Sequence, residues 1–502
     1  MNLRYYQKDA LEAAVQGAHE HQKQLIVMPT GSGKTILFSK LAERALPGRS
    51  LVLVDKQILA DQACEKIEQS ISVIPGREQG EHRADAKHSI VVSTVQSMVN
   101  RLGRWPRDHF AQVICDEAHC VLADSWQACV SHFDKHAKIF GFTATPFRGD
   151  KKNLGRYFDN IAYEISLRRL IHDGYLSPIK VKALPVQIDI SNVSSVAGDF
   201  HSGRLHDSLT PRLHKIADAI KEHASGRKIL AFLPLIETSR QFAQICNSVG
   251  LKAQHVSSQE REKDTLLKHF KSCDGGLMSN AMILSTGYDN PKIDCVVVLR
   301  PTRSTPLYCQ MVGRGTRTAP GKEYLLVLDF LWHHERHNLV RPANLLSETS
   351  DVAEIMTQHS FDVGGEVDLL ELEASAVEQR RRSLEEEIRA NERRKAKVVN
   401  PVEFHLALGD VGAAQYVPTV AWESEPPTSK QLKLLEKFKI DSAQVESKGH
   451  AHKLISRLMP RMINKLASPK QLIHLRRMGY QNPETATFTQ ARDFLSRMWG
   501  KR

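Results

Sequence analysis

A chain of 502 residues with 41% hydrophobic and 25% charged residues carries apolar material for several buried cores, and at roughly 150 residues per domain its length predicts about three domains. That balance excludes collagen-like, disordered and disulfide-scaffold classes. The formal charge of +12 is unevenly placed: Thr428–Arg502 holds 16 basic and 5 acidic residues, a net of +11, while the other 427 residues hold 53 and 52.

No apolar run approaches the ~20 residues that a membrane helix needs, and the opening MNLRYYQKDAL lacks an apolar signal core. The eight cysteines, at 64, 115, 120, 129, 246, 273, 295 and 309, form no C-x-x-C pair. This suits a reducing cytoplasm and argues against a structural zinc site.

In chain order, Leu25–Met28, Leu51–Val54, Ile90–Val92, Gln112–Cys115 and Ile139–Phe142 read as buried parallel strands with helical patterns between them, the grammar of a doubly wound sheet. Between the first strand and a helix starting near Ile36 lies Thr30-Gly31-Ser32-Gly33-Lys34-Thr35. Small residues there let successive backbone N–H groups wrap a phosphate at a helix N-terminus. Lys34 supplies a charge for the β- and γ-phosphates, and the Thr35 hydroxyl is placed to ligate Mg²⁺. Met28 stands where the general pattern has its first glycine. The fourth strand runs into Asp116-Glu117-Ala118-His119. Adjacent carboxylates at a strand's carboxyl end suit metal and water handling, with Asp116 in the Mg²⁺ shell and Glu117 polarising the attacking water.

A second α/β copy is expected after a join at Asp173–Pro178, where Gly174 and Pro178 interrupt the pattern, with strands at Lys228–Pro234, Ala281–Leu284, Cys295–Leu299 and Tyr324–Leu328. Gln310, Arg314 and Arg317, spaced by four and three, are expected to share one face of one helix. There they would meet a γ-phosphate from the opposite half. The segment Ser285-Thr286-Gly287-Tyr288-Asp289-Asn290-Pro291 precedes them at a companion position.

Beyond Asp329 the strand signal fades. Residues 365–398 read as a long solvated helix and 417–427 as a linker. Thr428-Ser-Lys-Gln-Leu432 then recurs 40 residues later as Ser468-Pro-Lys-Gln-Leu472, without gaps. Each copy starts with an N-cap candidate and an apolar stripe, which predicts two packed helical hairpins. The charge of this module suits nucleic acid, with Tyr480, Phe488 and Trp499 as stacking candidates and Phe438 assigned to the core; an acidic protein partner is the alternative.

Together these motifs resemble the superfamily 2 helicases and translocases of the DEAH-lettered kind, over about 330 residues. Leu3–Gln7 is similar to the Q element, which implies that Gln7 contacts the adenine. Residues 28–35 resemble motif I, Leu53–Gln62 and Ser93–Gln96 motifs Ia and Ib, 116–119 motif II, and Thr143-Ala-Thr145 motif III. Leu230–Phe242 resembles motif IV, 285–291 motif V and 310–317 motif VI. The resemblance implies two tandem RecA-like domains at 1–172 and 173–335, a helical extension and linker at 336–427, and a basic module at 428–502. It places Gln7, Thr30–Thr35, Gly287 and Asp289 at the nucleotide, Thr35 and Asp116 on Mg²⁺, and Lys34, Asp116, Glu117, Gln310, Arg314 and Arg317 in catalysis, with Arg317 as the finger. Residues 166–178 and 299–308 look like the bacterial RadD-type repair helicases and related phage helicases, although their cysteine-rich zinc region has no counterpart after Cys309. An ATP-dependent, nucleic-acid-stimulated motor acting on branched or single-stranded DNA in repair, recombination or replication is therefore expected. The alternatives are the motor of a restriction system and an ATP-gated loader that recruits a replication or repair protein.

Overall fold

A computed structural model describes residues 3–144, 154–155, 157–191, 193–196, 199–285, 287–333, 339–347, 349–391, 399–414 and 416–499. Thr145 of motif III, Thr286 of motif V, residues 392–398 of the long helix and the Trp499 side chain lie outside that description. The chain divides into two compact units, one of Met1–Asp150, Phe158–Ser347 and Glu354–Glu373, the other of Lys151–Tyr157, Glu348–Ala353 and Ala374–Arg502.

The first unit contains two seven-stranded sheets. Strands β1 (Lys23–Val27), β2 (Ser50–Val54), β3 (Gly76–Glu78), β4 (Ile90–Thr94), β5 (Gln112–Asp116), β6 (Lys138–Thr143) and β7 (Asn160–Glu164) form one, in the order β3-β4-β2-β5-β6-β1-β7. All its pairings are parallel. Its central strands are near-continuous aliphatic runs because helices cover both faces; every residue of β2 and of β4 is buried.

After a connection through Gly174 the second sheet begins. It contains β8 (Ile179–Asp189), β11 (Lys228–Phe232), β12 (Ala253–Val256), β13 (Gly276–Asn280), β14 (Cys295–Val298), β15 (Leu325–His333) and β16 (Glu366–Asp368), with a small hairpin of β9 (Ser195–Val196) and β10 (Asp199–Phe200) inserted. The order is β12-β13-β11-β14-β15-β8-β16, parallel except that β16 runs antiparallel to β8. One covering helix, Leu213–Ala224, buries Leu213, Ile216, Ala217, Ile220 and Ala224, the spacing of a single core-facing stripe.

Two expectations need correction here. The strand expected at Ala281–Leu284 is a turn, with Met282 at φ 72°, and the strand itself is β13. The buried polar residues Ser279 and Asn280 hid it; Asn280 Nδ2 donates to the Ala231 carbonyl at 3.0 Å and its Oδ1 accepts from Leu284 N at 3.1 Å. The long helix runs over Leu369–Asn391 and is no free strut, since Leu369, Leu372 and Ala376 are buried.

In the second unit the 40-residue echo is physical. Thr428 and Ser468 cap the helices Ser429–Lys437 and Pro469–Arg477 with matching capping boxes to Gln431 and Gln471. Gln431 Nε2 then reaches the Lys448 carbonyl at 3.2 Å, and Gln471 Nε2 reaches the equivalent Phe488 carbonyl at 3.3 Å. Lys439 and Gly479, also equivalent, both have positive φ, at 58° and 69°. The partner helices are Lys448–Ile463 and Phe488–Trp499. The boundary expected at 428 is not a break in packing. Val399, Phe404 and Ala407 share one core with Leu435, Leu454 and Leu458, and Arg477 hydrogen-bonds Glu403.

Candidate active site

The loop after β1 exposes its backbone by design of its residues. Gly31 and Gly33 both adopt φ 87°, a conformation that side chains resist. The helix Lys34–Arg44 follows with Gly33 as its N-cap and no capping side chain, so its first N–H groups retain the anion affinity of a helix N-terminus. From beneath, Tyr6 Oη donates to the Ser32 carbonyl at 2.8 Å and Gln7 Nε2 to the same carbonyl at 3.0 Å. Gln7 Nε2 also lies 3.4 Å from the Gly33 carbonyl, while its Oε1 accepts from Arg4 N at 2.9 Å. The Gln7 amide, expected at a nucleotide base, is thus engaged in holding the loop. Lys34 Nζ donates to the Met28 carbonyl at 3.4 Å, and Met28 N to the Thr143 carbonyl of β6 at 2.9 Å.

Strand β5 delivers the carboxylates. Asp116 Oδ1 accepts from Glu117 N at 3.1 Å. Glu117 itself sits in left-handed backbone, φ 56° and ψ 53°, which is costly for a residue with a side chain and turns its carboxyl back toward the loop lysine. Burial opposes its ionisation, but Lys34, His119 and a hydrogen bond from Gln310 outweigh that and hold it below the usual carboxylate range. Asp116 is pushed the other way, to about 6, by burial and by the Glu117 charge. His119 Nδ1 lies 3.2 Å from Glu117 Oε2.

The opposite wall comes from the second sheet. Gln310 lies in the helix Thr305–Val312, and its side chain crosses to Glu117. Arg314 and Arg317 do not continue that helix, a correction to the one-face expectation. The helix ends at Gly313, where a Cβ would stand 2.5 Å from Thr30 Cβ, so the chain turns there to let the two walls approach. Thr316 Oγ1 then donates to the Thr30 carbonyl at 3.4 Å. Arg314 is buried and donates to the Ser285 and Tyr288 carbonyls at 3.0 and 3.1 Å; burial and the Arg317 charge lower its pKa to about 10. Arg317 Nη1 pairs with Asp289 Oδ1 at 2.6 Å. Gly287, at φ 79°, accepts from Gln62 Nε2, and a Cβ there would stand 3.1 Å from Ile58. Residues of the Ia- and V-like segments therefore touch across the cleft.

Lys34, Asp116, Glu117 and Gln310 converge, with Arg314 in the same electrostatic neighbourhood; Arg317 and Asp289 form a separate pair. Two further residues carry the site without any motif signal of their own. Tyr6 supports the loop as described. Lys322 Nζ donates to the carbonyls of Pro291 (3.3 Å), Arg317 (2.7 Å) and Gly315, tying the V-like and VI-like segments together, and burial lowers its pKa to about 7. Their partners are backbone carbonyls, which leave no trace in side-chain spacing.

Residues 1–148 match the family model described as type III restriction enzyme, res subunit, and residues 211–319 match the helicase conserved C-terminal domain. The chain is 29% identical over 353 residues to "Putative ATP-dependent helicase IRC3" of Saccharomyces cerevisiae, covering 66% of this chain and 51% of that protein. It is 31% identical over 350 residues to "Putative mitochondrial ATP-dependent helicase irc3" of Schizosaccharomyces pombe, covering 66% and 57%. The chain therefore spans little more than half the length of these curated relatives. Among solved structures, the fragment of "a putative HsdR subunit of a type I restriction enzyme" from Vibrio vulnificus YJ016 superposes with a TM-score of 0.53 at 25% identity, covering 65% of this chain and 64% of that one.

Proposed function

The chain belongs to the superfamily 2 helicases, and from that premise we propose that it is an ATP-driven motor that translocates on DNA and unwinds or remodels branched or single-stranded structures in repair, recombination or replication. One observation carries the reading: a glutamine of the second wall bonds the water-handling carboxylate of the first, while Gly313 lets the VI-like turn close on the phosphate loop.

In this reading the Gly31–Thr35 backbone and Lys34 hold the phosphates of ATP. Mg²⁺ fits the oxygen donors present, the Asp116 carboxylate and the Thr35 hydroxyl; it would be shared with the phosphates and would neutralise charge developing on them. Glu117, kept ionised by Lys34 and His119, orients the attacking water, and Gln310 holds that carboxylate in place. Arg314 and Arg317 complete the charge from the opposite wall, Arg317 exchanging Asp289 for the γ-phosphate. The touching Ia- and V-like segments grip a strand's phosphates, so cleft opening and closing shifts the grip. The basic tail draws nucleic acid in over longer range, and the C-terminal region also recruits a replication or repair protein. Among the described residues no helix is long and apolar enough to cross a membrane, and we place the motor in the cytoplasm.

Steady-state ATPase rates with single-stranded DNA, duplex, fork and RNA test this. DNA should stimulate turnover severalfold, and Lys34→Ala should remove about 10²-fold or more of it. A rate that no nucleic acid changes would overturn the proposal. The likeness to an HsdR fragment favours one second reading, the motor of a restriction system, in which stimulation would require separate specificity and nuclease subunits.

A further inference from the structure

We propose that the seam between the two hairpins of the tail is a docking site for an acidic peptide segment with interleaved apolar side chains, presented by a partner protein. The proposal rests on, and deepens, the reading that the C-terminal region recruits a protein.

A cavity of about 710 Å³ opens where the first hairpin hands over to the second, within the ~300–1,000 Å³ typical of ligand sites. Its walls are mostly carbon: Phe438, Leu458, Met462, Leu466, Pro469 and Phe488. Met462 is 48% exposed, Phe488 49%, and the adjacent Ile463 69%. Three large apolar residues left in water beside a concave surface mark an interaction site. Each hairpin has its own core, so this exposure is not a deficit of packing inside either.

The electrostatics select the occupant. Lys465 lines the cavity, and so does Arg461, which is 7% exposed. The hydrogen bonds of Arg461 go to backbone carbonyls, those of Ala467 (2.9 and 3.0 Å) and Glu484 (2.8 Å), so its positive charge is held by peptide dipoles at the wall. The surrounding 75 residues carry a net +11. An acidic chain is attracted, and the carbon walls then require apolar side chains to fill them. A nucleic-acid backbone meets the charge but not the walls. Of the expected stacking residues, Tyr480 packs on Phe494 at 4.8 Å, inside the second core.

The test is fluorescence anisotropy on the full-length protein with three labelled probes: a peptide alternating Asp with Leu and Phe, an equally long peptide alternating Asp with Gly, and an oligo-dT strand. The first peptide should bind about 10-fold or more tightly than the second. Phe488→Ala and Met462→Ala should each weaken it about 5- to 10-fold, leaving ATPase turnover unchanged. The Phe488 substitution spares the backbone bonds of that residue, Phe488 N to Lys465 O (2.8 Å) and Gln471 Nε2 to Phe488 O (3.3 Å). Lys465→Glu, at an exposed position outside either core, should weaken both peptides. Equal binding of the two peptides overturns the cavity as an apolar-anchored site. If Phe488→Ala weakens oligo-dT and not the peptide, the recruitment reading itself falls and the seam reads a base. Neither result touches the nucleic-acid-stimulated ATPase, which the Lys34 variant tests separately.

Discussion

Lys322 shows how a side chain far from any motif can set a catalytic geometry. Its ammonium bridges the end of the V-like segment and two carbonyls of the VI-like turn, one of them that of Arg317. It is a positioning residue: the turn it ties carries the guanidinium proposed to meet the γ-phosphate. Lys322→Met should therefore lower kcat by about 10-fold or more with KM for ATP little changed, because misplacement of a transition-state group costs rate before binding. Lys322→Arg should restore much of the loss, as a cation that still reaches carbonyls. A rise in KM alone, with kcat intact, would refute the assignment. Glu117 makes the complementary point, since its left-handed backbone is a local cost kept where a carboxylate must be aimed.

Among the elements, the N-terminal helix Tyr5–Gly17 does more than flank a sheet. Tyr6 supports the phosphate loop, while Tyr5 bonds Asp173 at the connection between the sheets and packs, with Tyr6, on Tyr175. The Tyr5 hydroxyl, with His172 and Arg169, holds the Asp173 carboxyl down near 2. A folded-state pKa below the unfolded value contributes stability above pH ~4 that is lost as the pH falls toward 2. Asp173→Asn should thus lower the melting temperature at pH 6 by more than at pH 3. A gap of constant size across that range would show that the carboxylate charge is irrelevant. At this scale the sequence is readable where information is local: a strand, glycines and Gly-Lys-Thr in one stretch, or two carboxylates ending an aliphatic run. It is unreadable where distant backbone decides. Arg314 and Arg317 leave the expected helix because Gly313 approaches Thr30. Strand β3 escapes notice because its three residues, Gly-Arg-Glu, are not an apolar run, with buried Glu78 neutralised by Arg101 and Arg104 at 2.6 and 2.8 Å.

Over the whole molecule, charge and chemistry are segregated. The tail helix Ser429–Lys437 carries Lys430, Lys433 and Lys437, all exposed and on one face by their spacing, while the body outside the last 75 residues is nearly neutral. Replacing these three lysines by glutamate should weaken DNA binding and flatten its salt dependence, with the slope of log K against log salt falling by about 0.7–0.9 for each phosphate no longer neutralised. An unchanged slope would remove the tail from the DNA-binding surface. The consequence of this segregation is kinetic. Capture by a screened, long-range field fails early as ionic strength rises, whereas a short-range grip built from motif geometry does not. Raising salt should therefore make the motor a rare starter rather than a slow walker: fewer runs per unit time, each of nearly unaltered speed.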